Sequence, residues 1–370
     1  MKRRCVIYYH QPLPLYRYRF SLFGTGARSL FFYSYFYPLY VKLFINDKTY
    51  IAVQTETIKK KFSERYRFPL EKIETFFPEI KEINNDSVEE YLFEKDTYNF
   101  IYPSMGAAYK EHMTIAYAME RLYRIDENLA RQIRIHFTLM QDDNKDLYNY
   151  ICQHHLGENF IFHGNISHEQ VLSMMKSGEG LLFPSVIETL GLPPLEAASL
   201  GTSVIANDME YVHEVLKDYR GVSYVSVHDY DQWAEEMISC CKEKKRFTPY
   251  QAPKDDSWKR LIDYIRFNDD KCPKRKVICV LATASAKRGA LAIYNQFVHA
   301  LSSKSDEDEW HIFVDVDMPM PEIPHVHYHI CHTKGFGRIW FDLVGFGQEI
   351  KRQGITPDVI FSLQNTGVLC

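Results

Sequence analysis

Short runs of β-branched and aromatic residues alternate with amphipathic stretches along most of this chain, and that alternation constrains its fold more than any other feature. A strand that is apolar on both faces needs helices on both sides of its sheet, so the pattern predicts doubly wound α/β domains with parallel sheets. In the middle of the sequence, strands are predicted over 100–102, 134–139, 160–163, 180–183, 203–206 and 222–225. Helices are predicted over 110–123, 143–154, 168–176, 194–200 and 230–242. These make one domain, 89–256. A Ser-capped stretch follows at 257–267, with Trp258, Leu261, Ile262 and Ile265 at helical spacing, and is expected to close that domain before a polar linker; the two together occupy 257–276.

A new unit opens at residue 277. A compact apolar strand over 277–281 leads into a small-residue loop ending at Gly289, then into a helix with Leu291, Tyr294, Phe297, Val298 and Leu301 on one face. Strands over 310–314, 326–330 and 359–363 follow, too little sheet for an independent domain. The stretch 1–88 has the complementary defect, since it opens on a strand over 5–9 with no β-loop-α before it. Together the two stretches have the length of one complete Rossmann-like domain.

Composition narrows the function classes. With 44 Lys and Arg against 48 Asp and Glu, a net charge of −4, the chain has no global field for a nucleic-acid backbone. Its eight cysteines include no C-x-x-C pair, which fits reduced thiols in a cytoplasmic protein. The most apolar run, 30–45, carries Pro38 and Lys42 and is shorter than the roughly 20 residues of a spanning helix. It can touch a membrane without crossing it. Arg17, Arg19 and Arg28 interleave with Phe20, Phe23, Phe31 and Phe32, a pattern that suits either anionic lipid head groups or a solvated face over a core stripe.

The chemistry concentrates in 183–206. An apolar strand delivers Glu188 beyond its carboxyl end, Gly191 permits a tight turn, Pro193 and Pro194 preset a helix start, and Glu196 lies about one turn further in. Amides at such a helix start bind phosphate, and an acceptor-only carboxylate can take two hydrogen bonds from the neighbouring hydroxyls of a ribose. Taken alone, the two glutamates read as an ordinary acidic residue and a capping carboxylate at a helix N-terminus.

The whole segment, with its E-x7-E spacing, its Gly191-Leu192-Pro193 region preceded by Leu190, its small-residue helix and its following Val204-Ile205-Ala206 strand, resembles the donor-site signature of retaining glycosyltransferases of family 4. That resemblance implies a GT-B fold of two facing Rossmann-like domains, a nucleoside diphosphate sugar as donor and no obligatory cofactor or metal. It places Glu188 at the donor sugar, Glu196 on the ribose, and Thr189, Leu190, Gly191 and Leu192 at the diphosphate. Phe100 to Ser104 followed by Tyr109-Lys110 is similar to the family's first donor-domain strand and its diphosphate-binding lysine. Lys110 is therefore a candidate catalytic residue. An arginine that the family often carries just upstream is replaced here by the loop Ser104-Met105-Gly106-Ala107-Ala108. Gly289 matches the small loop that approaches the donor, and His10, at a strand end, matches a histidine that meets the donor sugar.

In the family the acceptor-side domain precedes the donor domain, whereas here its first part lies at 277–370 and its remainder at 1–88. The order implies a circular permutation, with residues 1 and 370 on one face of one domain; a mis-cut tandem is the competing arrangement. The expected activity is sugar transfer to a saccharide or lipid-linked acceptor in polysaccharide biosynthesis. A sugar-nucleotide or glycan-binding protein without strong catalysis, and a GT-B epimerase, remain the alternatives. His325, His327, His329 and His332 are not expected to form a metal site, because side chains two apart on a strand splay and no carboxylate or Cys of suitable spacing joins them.

Overall fold

A computed structural model describes residues 4–18, 27–78, 80, 82–243, 245–251, 256–266, 275–285, 288–303, 308–332, 337 and 340–365, with the backbone alone at 27, 29, 288 and 289. Residues 1 and 370, the linker stretch 268–274, and Arg19, Phe20 and Phe23 lie outside the described residues. The chain divides into two compact units, one of Met1–Leu15, Tyr33–Glu79 and Lys254–Cys370, the other of Tyr16–Phe32 and Ile80–Pro253.

In chain order the strands are β1 (Arg4–Tyr8), β2 (Thr49–Val53), β3 (Ile73–Thr75), β4 (Tyr98–Tyr102), β5 (Ile133–Phe137), β6 (Phe160–Phe162) and β7 (Gly180–Phe183). They continue with β8 (Ser203–Asn207), β9 (Val222–Val225), β10 (Val277–Leu281), β11 (Glu309–Val314), β12 (Val326–Ile330) and β13 (Val359–Ser362). Every pairing is parallel. Both units are thus the parallel α/β domains that the alternation predicted.

The second unit holds the sheet β6-β5-β4-β7-β8-β9. Counted from β4, that is the 3-2-1-4-5-6 order of a doubly wound sheet, whose direction of winding reverses between β4 and β7. Its central strands are buried on both faces, with Phe100, Ile101, Leu181, Leu182, Val204 and Ile205 all at or below 1% exposure, which explains their unbroken apolar runs. Helix His168–Ser177 starts at a capping box in which Ser167 and Gln170 satisfy one another's end amides.

The first unit holds the sheet β12-β11-β10-β13-β1-β2-β3. Read from residue 277 through β13 and on into β1, this is again 3-2-1-4-5-6, with β3 added at the edge. The strands over 359–363 and 5–9, expected in one sheet, are direct neighbours, with Cys5 opposite Ile360 and Val6 opposite Phe361.

Two sequence expectations are corrected. The stretch 1–88, expected as one part of the acceptor-side domain, is divided, with Tyr16–Phe32 and the residues from Ile80 onward belonging to the second unit. The amphipathic helix Ser257–Arg266 does not close the second domain but packs into the first unit. Trp258, Leu261, Ile262 and Ile265 join Tyr8, Tyr294, Phe297 and Phe361 in its core, and the Trp258 ring stacks on Tyr8 with centroids 5.8 Å apart. Burying four such side chains is worth roughly 1.5–3 kcal/mol each. A helix whose apolar stripe matches that face of the sheet therefore belongs to it wherever it falls in the chain.

Candidate functional site

Loops that leave the carboxyl ends of strands flanking a switch point are where doubly wound sheets bind ligands. In the second unit these are the loop from Pro103 to Glu111, after β4, and the loop from Pro184 to Gly191, after β7. The structure brings the two together. The Val186 amide donates to the Tyr109 carbonyl (3.0 Å), and the Lys110 ammonium forms an ion pair with the Glu188 carboxylate in which both side chains are mostly buried. Two of the residues predicted from sequence as separate contacts thus meet each other.

Several side chains hold these loops. The buried Tyr102 hydroxyl donates to the Lys110 carbonyl (2.7 Å). Tyr211 and Asn207 donate to the Ser185 carbonyl at 2.7 and 3.3 Å. Tyr16 donates to the Glu188 carbonyl (3.3 Å), and Tyr18 donates to Glu111 Oε1 (2.9 Å). Burial, followed by the carboxylates of Glu210, Glu188 and Glu214, pushes the Tyr16 hydroxyl above its ordinary range and keeps it a donor. Gly106 is closely packed, since a Cβ there would collide with the Asp143 carbonyl. The small-residue loop that replaces the family's arginine has no room at that position.

His112 opens the helix His112–Ile125. Its Nε2 lies 2.8 Å from Ser104 Oγ, and its ring packs against Tyr102 and Phe137. Burial, helped by the Lys110 charge, pulls this imidazole down to about 3. It is neutral at any physiological pH and serves as a packed strut rather than an acid. Sequence reasoning passed over His112, Tyr102, Asn207 and Tyr211 because each reads as core; only the loop crossing shows what their polar tips hold.

Gly191 adopts φ 74° as N-cap of the helix Leu192–Ser199. Leu192, Pro193 and Pro194 follow as its first three positions, and two of these lack an N–H. The donors available at this helix start therefore narrow to the amides of Gly191 and Leu192, beside Thr189 and Leu190 in the turn. Glu196 lies one turn further in and is largely buried, and its Oε1 is 2.8 Å from Nε2 of the exposed His168. No sequence spacing pointed to His168.

His10 and Gly289 belong to the first unit. His10 follows β1; its amide donates to Asn365 Oδ1 (2.5 Å) and its Nε2 lies 3.3 Å from Asn365 Nδ2, so it sits at the ends of β1 and β13 beside that sheet's switch point. Its Nδ1 is buried without a hydrogen-bond partner, and burial holds the ring down to about 4, hence neutral. Gly289 is the second residue of the helix Arg288–Ser302, after β10.

Of the four histidines His325, His327, His329 and His332, His327 and His329 lie on β12 against His311 of β11, and Glu309 reaches both His311 (3.0 Å) and His327 (3.8 Å). A carboxylate does join them, from the neighbouring strand. Even so, among the described residues no group of three or more His, Cys, Asp or Glu side chains is placed to hold a metal ion.

Residues 85–252 match the family model "Glycosyl transferases group 1". The matched stretch lies within the second unit. The match covers both loops of the site, with Lys110, Glu188 and Glu196 inside it. A curated relative, the O-antigen chain mannosyltransferase RfbU of Salmonella typhimurium (strain LT2), is 22% identical over 232 residues, which cover 61% of this chain and 62% of the relative. The chain thus spans less than two thirds of that relative's length. Among solved structures, Anabaena Alr3699/HepE in complex with UDP and glucose aligns at TM-score 0.49 and 13% identity, covering 65% of this chain and 63% of that one. WaaG, a glycosyltransferase involved in lipopolysaccharide biosynthesis, aligns at TM-score 0.47 and 13% identity, covering 65% and 66%.

Proposed function

We propose that the chain is a retaining glycosyltransferase of family 4 that moves a sugar from a nucleoside diphosphate sugar to a hydroxyl of a saccharide or lipid-linked acceptor, in the cytoplasm and without a required metal. The observation that carries this reading is the meeting of Lys110 and Glu188 at the switch point of the matched domain, with Glu196 one turn into the helix that follows the Glu188 loop. In this reading the donor diphosphate takes the Lys110 ammonium away from Glu188. The freed carboxylate then accepts hydrogen bonds from the donor sugar, while Glu196 turns from His168 to the ribose hydroxyls. Lys110 and the amides of Thr189, Leu190, Gly191 and Leu192 offset the negative charge that grows on the leaving diphosphate. The departing phosphate helps take the acceptor proton, since no side chain of the motif is an obvious covalent nucleophile. His10 and Gly289 are proposed to serve the donor from the first unit.

The same reading includes a GT-B fold in circularly permuted order, supported by the strand order of the first sheet, which becomes regular only when counted from residue 277. Its acceptor side is 254–370 followed by 1–15 and 33–79, and its donor side is 80–253 with 16–32.

The test is a panel of nucleoside diphosphate sugars screened by thermal shift, followed by donor hydrolysis with and without candidate acceptors. A ligand at 100 times its Kd stabilises the native state by about 2.7 kcal/mol. Binding with neither hydrolysis nor transfer would favour the non-catalytic binding protein, and donor isomerisation would favour the epimerase. A panel without any shift removes the reading.

A further inference from the structure

One backbone amide fixes the chemistry of the His10 ring. The His10 N–H donates to Asn365 Oδ1 (2.5 Å), and a main-chain N–H can only donate. The atom it meets must therefore be the oxygen of the Asn365 amide, which settles the orientation of that side chain. The amide nitrogen then lies 3.3 Å from Nε2 of the same histidine. An amide nitrogen gives protons and accepts none, so Nε2 has to be the bare, accepting ring nitrogen. The single proton of the neutral ring is left on Nδ1.

The surroundings hold this arrangement in place. Asn365 is buried and adopts φ 63°, a left-handed conformation that asparagine enters more readily than most residues, so its own backbone keeps the side chain at the end of β13. A second ring proton would set two donors, Nε2 and Asn365 Nδ2, face to face. Burial already holds the ring down to about 4, against the opposing pull of the Tyr8 backbone. The titratable side chain packed on it is Tyr8, with ring centroids 6.0 Å apart, and burial keeps that hydroxyl neutral. Nδ1 itself is buried without a hydrogen-bond partner. An N–H in that position costs free energy until an oxygen accepts from it.

We infer that Asn365 is a positioning residue that locks His10 in the neutral Nδ1–H tautomer, so that His10 acts on a bound sugar as a hydrogen-bond donor and not as an acid or base. The oxygen that accepts is one of the sugar ligand's own. The donating role rests on the reading that His10 serves the donor; the tautomer does not. The two residues stand 355 positions apart and meet because β1 and β13 pair in one sheet.

The test is nitrogen NMR of the ligand-free full chain carrying isotope-labelled histidine, with the His10 signals identified by their loss in His10→Asn. The wild-type ring should show a protonated Nδ1 and a bare Nε2 from about pH 8 to about pH 5. Asn365→Asp keeps the size and the left-handed turn but puts an acceptor where the donor stood. The proton should move to Nε2, and the titration of the ring should rise by about 1–3 pH units. Asn365→Gly keeps the turn without the amide and should give a mixture of tautomers. A wild-type ring protonated on Nε2 overturns the inference, as does an Asn365→Asp ring that titrates like wild type or an Asn365→Gly ring that stays in one form. Donor hydrolysis reads the donating role. An asparagine carries its amide nitrogen where Nδ1 stood, so His10→Asn should retain at least about tenfold more turnover than His10→Ala, with donor KM little separated. Equal losses in the two variants overturn that role. A wild-type chain that neither binds nor hydrolyses any nucleoside diphosphate sugar removes the transfer reading instead, and the NMR result still decides the tautomer.

Discussion

Lys110 and Glu188 form an ion pair across the switch point of the second sheet, one from the loop after β4 and the other from the loop after β7. Each neutralises the other, so a bound diphosphate has to compete with a carboxylate for its cation. Glu188→Gln removes the competitor. We expect this variant to bind a free nucleoside diphosphate as tightly as wild type or several-fold more tightly, measured by calorimetry, while transfer falls by about 10²-fold, the scale of losing one polar contact at a reacting centre. Weaker diphosphate binding would show that Glu188 does not hold Lys110 back.

Lys110→Ala should lower turnover by about 10² to 10³-fold and donor KM much less, because diphosphate charge grows toward the transition state. Steady-state donor hydrolysis separates the two parameters. Wild-type turnover would return Lys110 to a purely structural ion pair.

Glu196→Gln keeps the size of the side chain but leaves one acceptor oxygen, so nucleotide affinity should fall by about tenfold with little loss of stability. Since His168 contacts the same carboxylate (2.8 Å), His168→Ala is the companion variant, expected to leave nucleotide binding in place. Unchanged nucleoside diphosphate affinity in Glu196→Gln would defeat the ribose assignment.

Gly191→Ala tests the turn. At φ 74° an added Cβ meets only ordinary contacts with Tyr211 and Phe183, at 3.4 and 3.5 Å. The cost is thus backbone strain, about 1–2 kcal/mol, visible as a lowered urea midpoint with an unchanged slope.

Stability should fall in acid through buried histidines. Burial depresses His112 and His136 to about 3, below the ordinary value near 6.5, so the unfolded chain binds their protons first. Their stabilising contribution is complete above pH 6.5 and is lost as pH falls toward 3. Between pH 6.5 and 5 this amounts to about 1–2 kcal/mol for each histidine. Urea unfolding at the two pH values reads it, and His112→Gln should flatten the dependence.

Deleting 277–370 removes β10, β11, β12 and β13 and leaves β1 without its β13 partner. The shortened chain should aggregate through that bare edge. A chain reordered to run from 277 through 370, joined by a short linker to residues 1–266, should keep the melting temperature of the original. Loss of folding in that chain would count against the permuted order.

The sequence by itself determined the strands, through their short runs of β-branched and aromatic residues. The strands at 180–183 and 277–281 were legible to the residue, because a strand buried along nearly all its length has no polar positions to blur its ends; the half-buried edge strands at 222–225 and 326–330 were bounded as well by their β-branched and aromatic residues. It also located the block from Phe183 to Ala206, whose glycine and prolines are local requirements of one turn. What it could not decide was partnership. The stripe Trp258, Leu261, Ile262 and Ile265 announces an amphipathic helix, but any complementary core would satisfy it, and the first unit's sheet is the one that does. The Lys110–Glu188 ion pair, Glu309 beside His311 and His327, and His168 on Glu196 join residues 78, 2 to 18 and 28 positions apart. Contacts of that kind follow from strand order and loop crossing, which depend on the packing of the whole sheet and leave no periodic trace in the chain.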